Sequence, residues 1–319
     1  MLNFQIDQTL TKKEIKLKDL YDVIIIGGGP GALNAALYSA RSGLTTLVVA
    51  YEVGGQLLNT NIIDNYLGFY NVSGEELNQK FLSHLRNFAV DELYQVKVDN
   101  IRKVDNIFHL TLNNKKIIKG RGVILATGGL PRKLNVPGEK EFTSKGVSYC
   151  VICDGTFYGD QMVVVVGGGN SALEAALDLS KYAKKVHIVQ NLDDFTGDKI
   201  LINKVKNLPN VTYQFNSVLT QIKGENKVSS ILVKQNETIS EIETNGLFIQ
   251  IGLIPSSELV KDLVSLNRFS EVIVNDKQET SLKGLYAIGD VTNFPYKQVV
   301  TAISQGAVAA LSLNKYLNK

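Results

Sequence analysis

The chain has 319 residues, 44% hydrophobic and 20% charged, which is too apolar for disorder and, at about 150 residues per domain, long enough for two domains. Thirty-four Lys and Arg against 31 Asp and Glu leave a net charge of +3, and no basic run is interleaved with aromatics, so nucleic acid is excluded as the main partner. No unbroken apolar run exceeds about five residues (Met162–Val166), too few to span a bilayer.

Residues 1–19 carry four Lys against three acidic residues and no continuous apolar segment. They predict a solvated, frayed extension rather than a secretory signal, and a cytoplasmic location. Val23-Ile24-Ile25-Ile26 then reads as a strand buried on both faces of a parallel sheet. The next residues, 27–37, read GGGPGALNAAL and enter an Ala/Leu-rich helical stretch, followed by a second β-rich run from Leu44 to Val49. The same unit returns at an offset of 140: Val163–Val166, then GGGNSALEAAL over residues 167–177, then Lys185–Val189. The two Gly-rich segments agree at eight of eleven positions.

A strand, a Gly-rich turn and a helix form a phosphate-binding unit. The first glycine makes the tight turn, the second lets backbone approach a pyrophosphate, and the third position takes a small residue for helix–strand packing. These are Gly27, Gly29 and Ala32 in the first copy and Gly167, Gly169 and Ala172 in the second. The helix N-terminus adds free N–H groups and a positive dipole end. Two matched copies predict two dinucleotide sites in an α/β fold. Further strands are predicted at Val123–Gly129, Gly246–Gly252 and Leu285–Asp290, and a closing helix over Lys297–Leu317.

Between the two units lie the only cysteines, in Cys150-Val-Ile-Cys153-Asp154. A zinc site needs about four ligands, and His84, His109 and His187 are not at ligand spacing. A buried inert pair and a reversible disulfide remain, and the C-x-x-C spacing favours the second, with one thiolate attacking and the other resolving. Asp154 is placed to move a proton as the dithiol forms, and as a turn or N-cap residue it can do both.

The set GGGPGA, GGQL (54–57), NYLG (65–68), ATGG (126–129), SYCVICDG (148–155), GGGNSA, YAIGD (286–290) and PYKQVVTAISQGAVAA (295–310) resembles the low-molecular-weight thioredoxin reductases from about residue 21 to the end. The resemblance implies two Rossmann-like, three-layer domains, the second inserted into the first. The FAD domain would comprise 20–130 and 250–319, and a pyridine-nucleotide domain carrying the C-x-x-C would comprise 131–249. It also implies a homodimer that passes electrons from a reduced donor through FAD to Cys150–Cys153 and on to thioredoxin or a similar small redox protein.

Carried over by position, Gly27, Gly29, Pro30, Gly31 and Ala32 would cradle the FAD pyrophosphate, and Gly55, Gln56, Leu57 and Asn65 would line the flavin. Ala126, Thr127 and Gly128 would follow the central strand to the cofactor. Gly289 and Asp290 would hold the ribityl chain, and Lys297, Gln298 and Val299 would set a helix N-terminus at the pyrimidine end. Cys153 would face the flavin, with Cys150 its partner. Gly167, Gly169, Asn170, Ser171 and Ala172 would hold the pyridine nucleotide, with hinges near Gly128-Gly129 and Gln250–Leu253.

Two stretches depart from the family. NADPH-using members carry His-Arg-Arg-x-x-x-Arg after the second motif's next strand, whereas here residues 190–196 read QNLDDFT. The arginines that would pair a 2′-phosphate are gone, and Gln190 with Asp193 or Asp194 suits a bare ribose 2′-hydroxyl, so NADH is expected over NADPH. Ferredoxin or flavodoxin is the alternative donor. The second departure is Ala50-Tyr51-Glu52, where Glu52 stands in for the acid expected at the adenosine ribose. The second half is also similar to the flavoprotein that reduces alkyl hydroperoxide peroxiredoxin with NADH, which carries an additional N-terminal module with its own C-x-x-C. A peroxiredoxin- or glutaredoxin-like protein is therefore the alternative acceptor, and a non-catalytic flavin-binding sensor the alternative outside enzymes.

Overall fold

The computed structural model describes residues 16–59, 63 and 65–318. Most of the predicted extension lies outside these residues. Its described end is anchored rather than frayed: Leu17 packs against the core, and Lys18 pairs with Asp91 at 2.6 Å. By internal contacts the chain forms two units, one of residues up to Leu57, Glu75–Gly129 and Pro255 onward, the other of Leu58–Gly74 and Leu130–Ile254.

The first unit opens with β1 (Tyr21–Ile26), α1 (Pro30–Arg41), β2 (Thr46–Ala50), α2 (Gly74–Leu85) and β3 (Val90–Tyr94). An antiparallel run follows, β4 (Val98–Val104), β5 (Ile107–Leu112) and β6 (Ile117–Leu125). The sheet order is β3-β2-β1-β6-β5-β4, and β1 is parallel to both neighbours, with Ile25 opposite Val48 and Ile124. Alternation along β1 explains its unbroken apolar sequence. Ile24 and Ile26 enter one core, while Val23 and Ile25 enter the other with Ala32, Leu33 and Ala36 of α1.

The second unit carries β7 (Gly129–Pro131, starting at the boundary), α3 (Glu139–Phe142), β8 (Val147–Ser148), α4 (Val151–Asp154), β9 (Met162–Val166), α5 (Asn170–Leu179), β10 (Lys185–Val189), α6 (Lys199–Lys206) and β11 (Val211–Gln214). Next come β12 (Ser217–Gly224), β13 (Val228–Gln235), β14 (Thr238–Glu243) and β15 (Gly246–Ile249). The parallel sheet runs β11-β10-β9-β15-β8. Val163 and Val165 of β9 face α5, whereas Val164 and Val166 face Leu219, Ile222 and Ile231 of the antiparallel meander β12–β14. The third layer here is that meander, which the sequence pattern does not announce.

The chain then passes β16 (Leu253–Pro255), adds β17 (Leu285–Ala287) beside β6, and closes with α7 (Val299–Leu317). The expected return to the first domain at residue 250 falls later, at Pro255, because Gly252 accepts a hydrogen bond from the Arg132 amide inside the second unit. Residues 58–74 were also expected in the first domain, yet they group with the second unit, where Ile63 and Val72 exchange backbone hydrogen bonds.

Candidate functional site

In the first unit the turn after β1 brings several predicted residues together. Gly27 has φ +128° and lies so close to Ala126 that a Cβ would overlap its carbonyl oxygen. Gly28 approaches Glu52 as closely and accepts a hydrogen bond from Gly54 at 2.8 Å. An ideal Cβ on Gly55 would sit 3.4 Å from Gly29 Cα, whereas one on Gly29 would meet nothing within 4 Å. Gly29 caps α1 without any side-chain hydrogen bond, so the first-turn amides of Gly31 and Ala32 have no capping partner, and the space beside Gly29 is open.

Neighbouring residues tie this turn down. Ala126 donates to Ile26 at 2.8 Å, Thr127 Oγ1 donates to the Ser256 carbonyl at 2.7 Å, and the Gly128 carbonyl accepts from Ser256 at 2.9 Å. Gln56 Nε2 donates to the Gly129 carbonyl at 3.2 Å, and Leu57 is buried. The Glu52 side chain is exposed at the end of β2. Asn65 belongs to the segment grouped with the second unit.

α7 reaches the same turn. A Cβ on Gly31 would come within 3.0 Å of the Ala302 carbonyl oxygen, and one on Gly289 within 3.5 Å of Ala302 Cβ. Gln298 caps α7 together with Thr301, and Val299 is its first residue. Gln305, which lies in the 295–310 motif but drew no role from it, receives the Gly289 amide at 2.6 Å, and its Nε2 is buried without a partner. Asp290 is partly buried with no protein hydrogen-bond donor among the described residues, and burial pushes its carboxyl up despite the Lys297 charge. Lys297 is held by Glu271 at 2.9 Å and by the Thr292 carbonyl.

The second unit repeats the turn. Gly167 has φ +131° and packs on the Gln250 carbonyl, and Ala172 is fully buried beside it. Gly169 caps α5 with no side-chain hydrogen bond. Asn170 Oδ1 accepts the Asp198 amide at 2.7 Å, while Ser171 is exposed. Gln190 is buried over Gly168; its Nε2 donates to the Asp194 carbonyl at 3.2 Å and its Oε1 accepts the Asn191 amide at 3.2 Å.

A cavity of about 500 Å³ opens at the C-terminal ends of β9 and β10, lined by Gly167, Gln190 and Asn191 together with Arg132 and Lys133. Ligands of open α/β sheets bind at such strand ends. Asp193 and Asp194 do not line it. Asp194 receives the Phe195 amide at 2.8 Å, which holds its carboxyl below the usual range, and pairs with Lys206 at 3.4 Å. Positive charge therefore does reach the cavity, from a segment 58 residues before Gln190 (190 − 132 = 58).

Cys150 and Cys153 form a disulfide across α4, with Cα atoms 5.3 Å apart. The Cys153 amide donates to Cys150 Sγ at 3.2 Å, and the Asp154 amide donates to the Cys150 carbonyl at 3.1 Å. Burial raises the Asp154 carboxyl above its ordinary range, and a hydrogen bond from Ser148 partly offsets this. The two cysteines are thus joined to each other as a disulfide.

A disulfide beside one of two dinucleotide cradles matches a known family. The pyridine nucleotide-disulphide oxidoreductase profile covers residues 21–306. The chain belongs to this family. Its fold superposes on thioredoxin reductase from Streptococcus pyogenes MGAS5005 with a TM-score of 0.90 and 38% identity, over 94% of this chain and 99% of that one. An alkyl hydroperoxide reductase component of Staphylococcus aureus is 35% identical over 315 residues, 98% of this chain and 62% of that protein. NADH dehydrogenase of Bacillus subtilis is 38% identical over 302 residues, 94% of this chain and 59% of that protein. The chain thus spans about three-fifths of the length of these two relatives.

Membership of this family implies FAD and a pyridine nucleotide. The residues of this chain fit both groups. Each cradle presents an uncapped helix start for a pyrophosphate, and the first adds the Asp290 carboxylate and a buried Gln305 Nε2 that no described protein group accepts from. No described helix is long and apolar enough to cross a membrane.

Proposed function

We propose that the oxidoreductase takes electrons from NADH through FAD to Cys150–Cys153 and delivers them to a thioredoxin-like protein disulfide. The observation that carries this is the Cys150–Cys153 disulfide, with Asp154 in the same short helix and the second dinucleotide cradle in the same unit.

In this reading Gly27, Gly29 and the first turn of α1 bind the FAD pyrophosphate, Asp290 orients the ribityl hydroxyls, and the start of α7 favours negative charge at the pyrimidine end. Gly167, Gly169 and the start of α5 bind the nucleotide pyrophosphate. Bound FAD supplies a two-electron relay between nicotinamide and disulfide. Asp154 holds the proton that the leaving thiolate needs, and burial keeps that carboxyl protonated to higher pH than a solvated one. NADH is favoured because residues 190–196 contain no cation for a 2′-phosphate and Gln190 is a neutral amide. The Bacillus subtilis relative, an NADH dehydrogenase by name, agrees with this donor.

An anaerobic stopped-flow titration of the FAD-loaded chain tests the donor. Flavin bleaching with NADH and not NADPH is expected. Bleaching with NADPH, abolished in R132A/K133A, would instead make those two cations the 2′-phosphate grip. Bleaching with neither would leave ferredoxin or flavodoxin as donor. Turnover is then measured with thioredoxin, a glutaredoxin and a peroxiredoxin. C150S is expected to lose turnover while still bleaching, and unchanged physiological output in C150S would make the protein a flavin sensor.

A further inference from the structure

Ser148, two residues before the redox pair, is almost fully buried. Its Oγ donates to Asp154 Oδ2 at 2.5 Å, accepts the Cys150 amide at 3.0 Å, and lies 3.2 Å from the Cys150 carbonyl oxygen. A hydroxyl has one proton to give and two lone pairs to receive with. When Asp154 is ionised, the Ser148 proton points at the carboxylate. When Asp154 is protonated, its O–H fills the second lone pair of Ser148, and the Ser148 proton turns to the Cys150 carbonyl. The Ser148 hydroxyl is thus satisfied in both protonation states of Asp154 without moving a heavy atom.

A cavity of about 140 Å³ is lined by Ser148 and Asp154, together with Tyr158, and has room for water. We propose that Ser148 is the positioning partner that lets Asp154 switch between its two protonation states, with protons exchanged through this cavity. The inference rests on the reading of Asp154 as proton donor. Bound reduced FAD would supply the two electrons that break the S–S bond and return to its oxidised form, and one proton from Asp154 would convert one of the two nascent thiolates to a thiol. Asp154 is left as carboxylate, held by Ser148 until a proton returns from the cavity.

Few other groups act on this carboxyl. Tyr158, from the turn Gly155–Tyr158, is electrostatically linked to Asp154, and burial raises its phenol. Tyr182 sits against Gly155 and is influenced by Asp178 of α5. Among the described residues, no other charged group shifts the Asp154 carboxyl. Ser148 is the one side chain whose hydrogen bond lowers the carboxyl.

The test uses the FAD-loaded full chain as wild type, S148A, S148T and D154N. Infrared difference titration reads the protonated carboxyl band that D154N lacks, and anaerobic stopped flow reads disulfide reduction against pH. S148A is expected to move the Asp154 midpoint up by about one pH unit, as loss of a hydrogen bond to a charged group implies. The alkaline limb of the reduction rate should move by the same interval, and S148T should restore both. If D154N reduces its disulfide at the wild-type rate, the proton-donor reading falls and the proposal with it. If D154N is slow while S148A keeps the wild-type midpoint and limb, Ser148 alone is overturned. A uniform rate loss in S148A with an unmoved limb likewise overturns it, because a merely structural role would do that. Should S148A not fold, S148G removes the same hydroxyl.

Discussion

A Cβ on Gly29 would meet nothing within 4 Å, whereas one on Gly167 would overlap the Gln250 carbonyl and force φ +131° on an L side chain. G29A should therefore leave the stability of the FAD-free chain within about 0.5 kcal/mol and weaken FAD retention, because the methyl occupies the anion's approach. G167A should cost about 1–3 kcal/mol in urea unfolding as well as nucleotide affinity. Equal losses of stability in the two variants would refute this separation. Asp290 makes a second contrast at this scale. Burial holds its carboxyl above the ordinary range, with Lys297 offsetting part of the effect. A folded-state pKa above the unfolded one gives stability that is present below the unfolded value of about 3.9 and lost as pH rises through the folded value. D290N should thus melt above wild type at neutral pH without FAD, with the gap closing as pH falls toward 4, and should bind FAD more weakly. A Tm difference independent of pH would show that the carboxyl charge is not the cause.

Among elements, the contact of α1 with α7 ties the first cradle to the C-terminal helix. A Cβ on Gly306 would come 2.5 Å from the Gly31 carbonyl oxygen and 3.0 Å from the Ala35 amide, so neither helix can approach this closely with a larger residue there. G306A should destabilise by about 1–3 kcal/mol and release FAD faster, since the same shift moves Ala302 away from Gly31 and Gly289. Unchanged Tm and FAD dissociation would show that the helices relax without disturbing the cradle. Elements differ in how far the sequence reveals them. β1 and β9 are legible because burial on both faces leaves no polar position to interrupt the run, and the Gly-rich turns are legible because their constraint is local. The meander β12–β14 is not, since Ile239 and Val218 are exposed while Ser217 and Ser230 are buried, which blurs the period of two. Arg132 and Lys133 in the cavity with Gln190, or Lys297 with Glu271, are products of tertiary folding that no short motif encodes.

Among the described residues each unit has two cores, and each core cluster draws its buried residues from one unit. Each dinucleotide cradle rests on one unit: Gly27 and Asp290 on the first, Gly167 and Gln190 on the second. A ligand that binds only the folded form stabilises what it touches by RT ln(1 + [L]/Kd), about 2.7 kcal/mol at a hundredfold excess over Kd. Local opening is governed unit by unit rather than by one global value. Native-state hydrogen exchange of the FAD-free chain titrated with FAD should therefore show protection rising in β1, β2 and β6 by about that amount, with β9, β10 and β15 little changed. NADH added to the oxidised holoprotein would reduce it, so the oxidised nucleotide is the matching probe, and it should protect β9 and β10 selectively. A uniform rise in both sheets on adding FAD alone would mean that the units open as one cooperative body, and the cradles would then be coupled through folding itself.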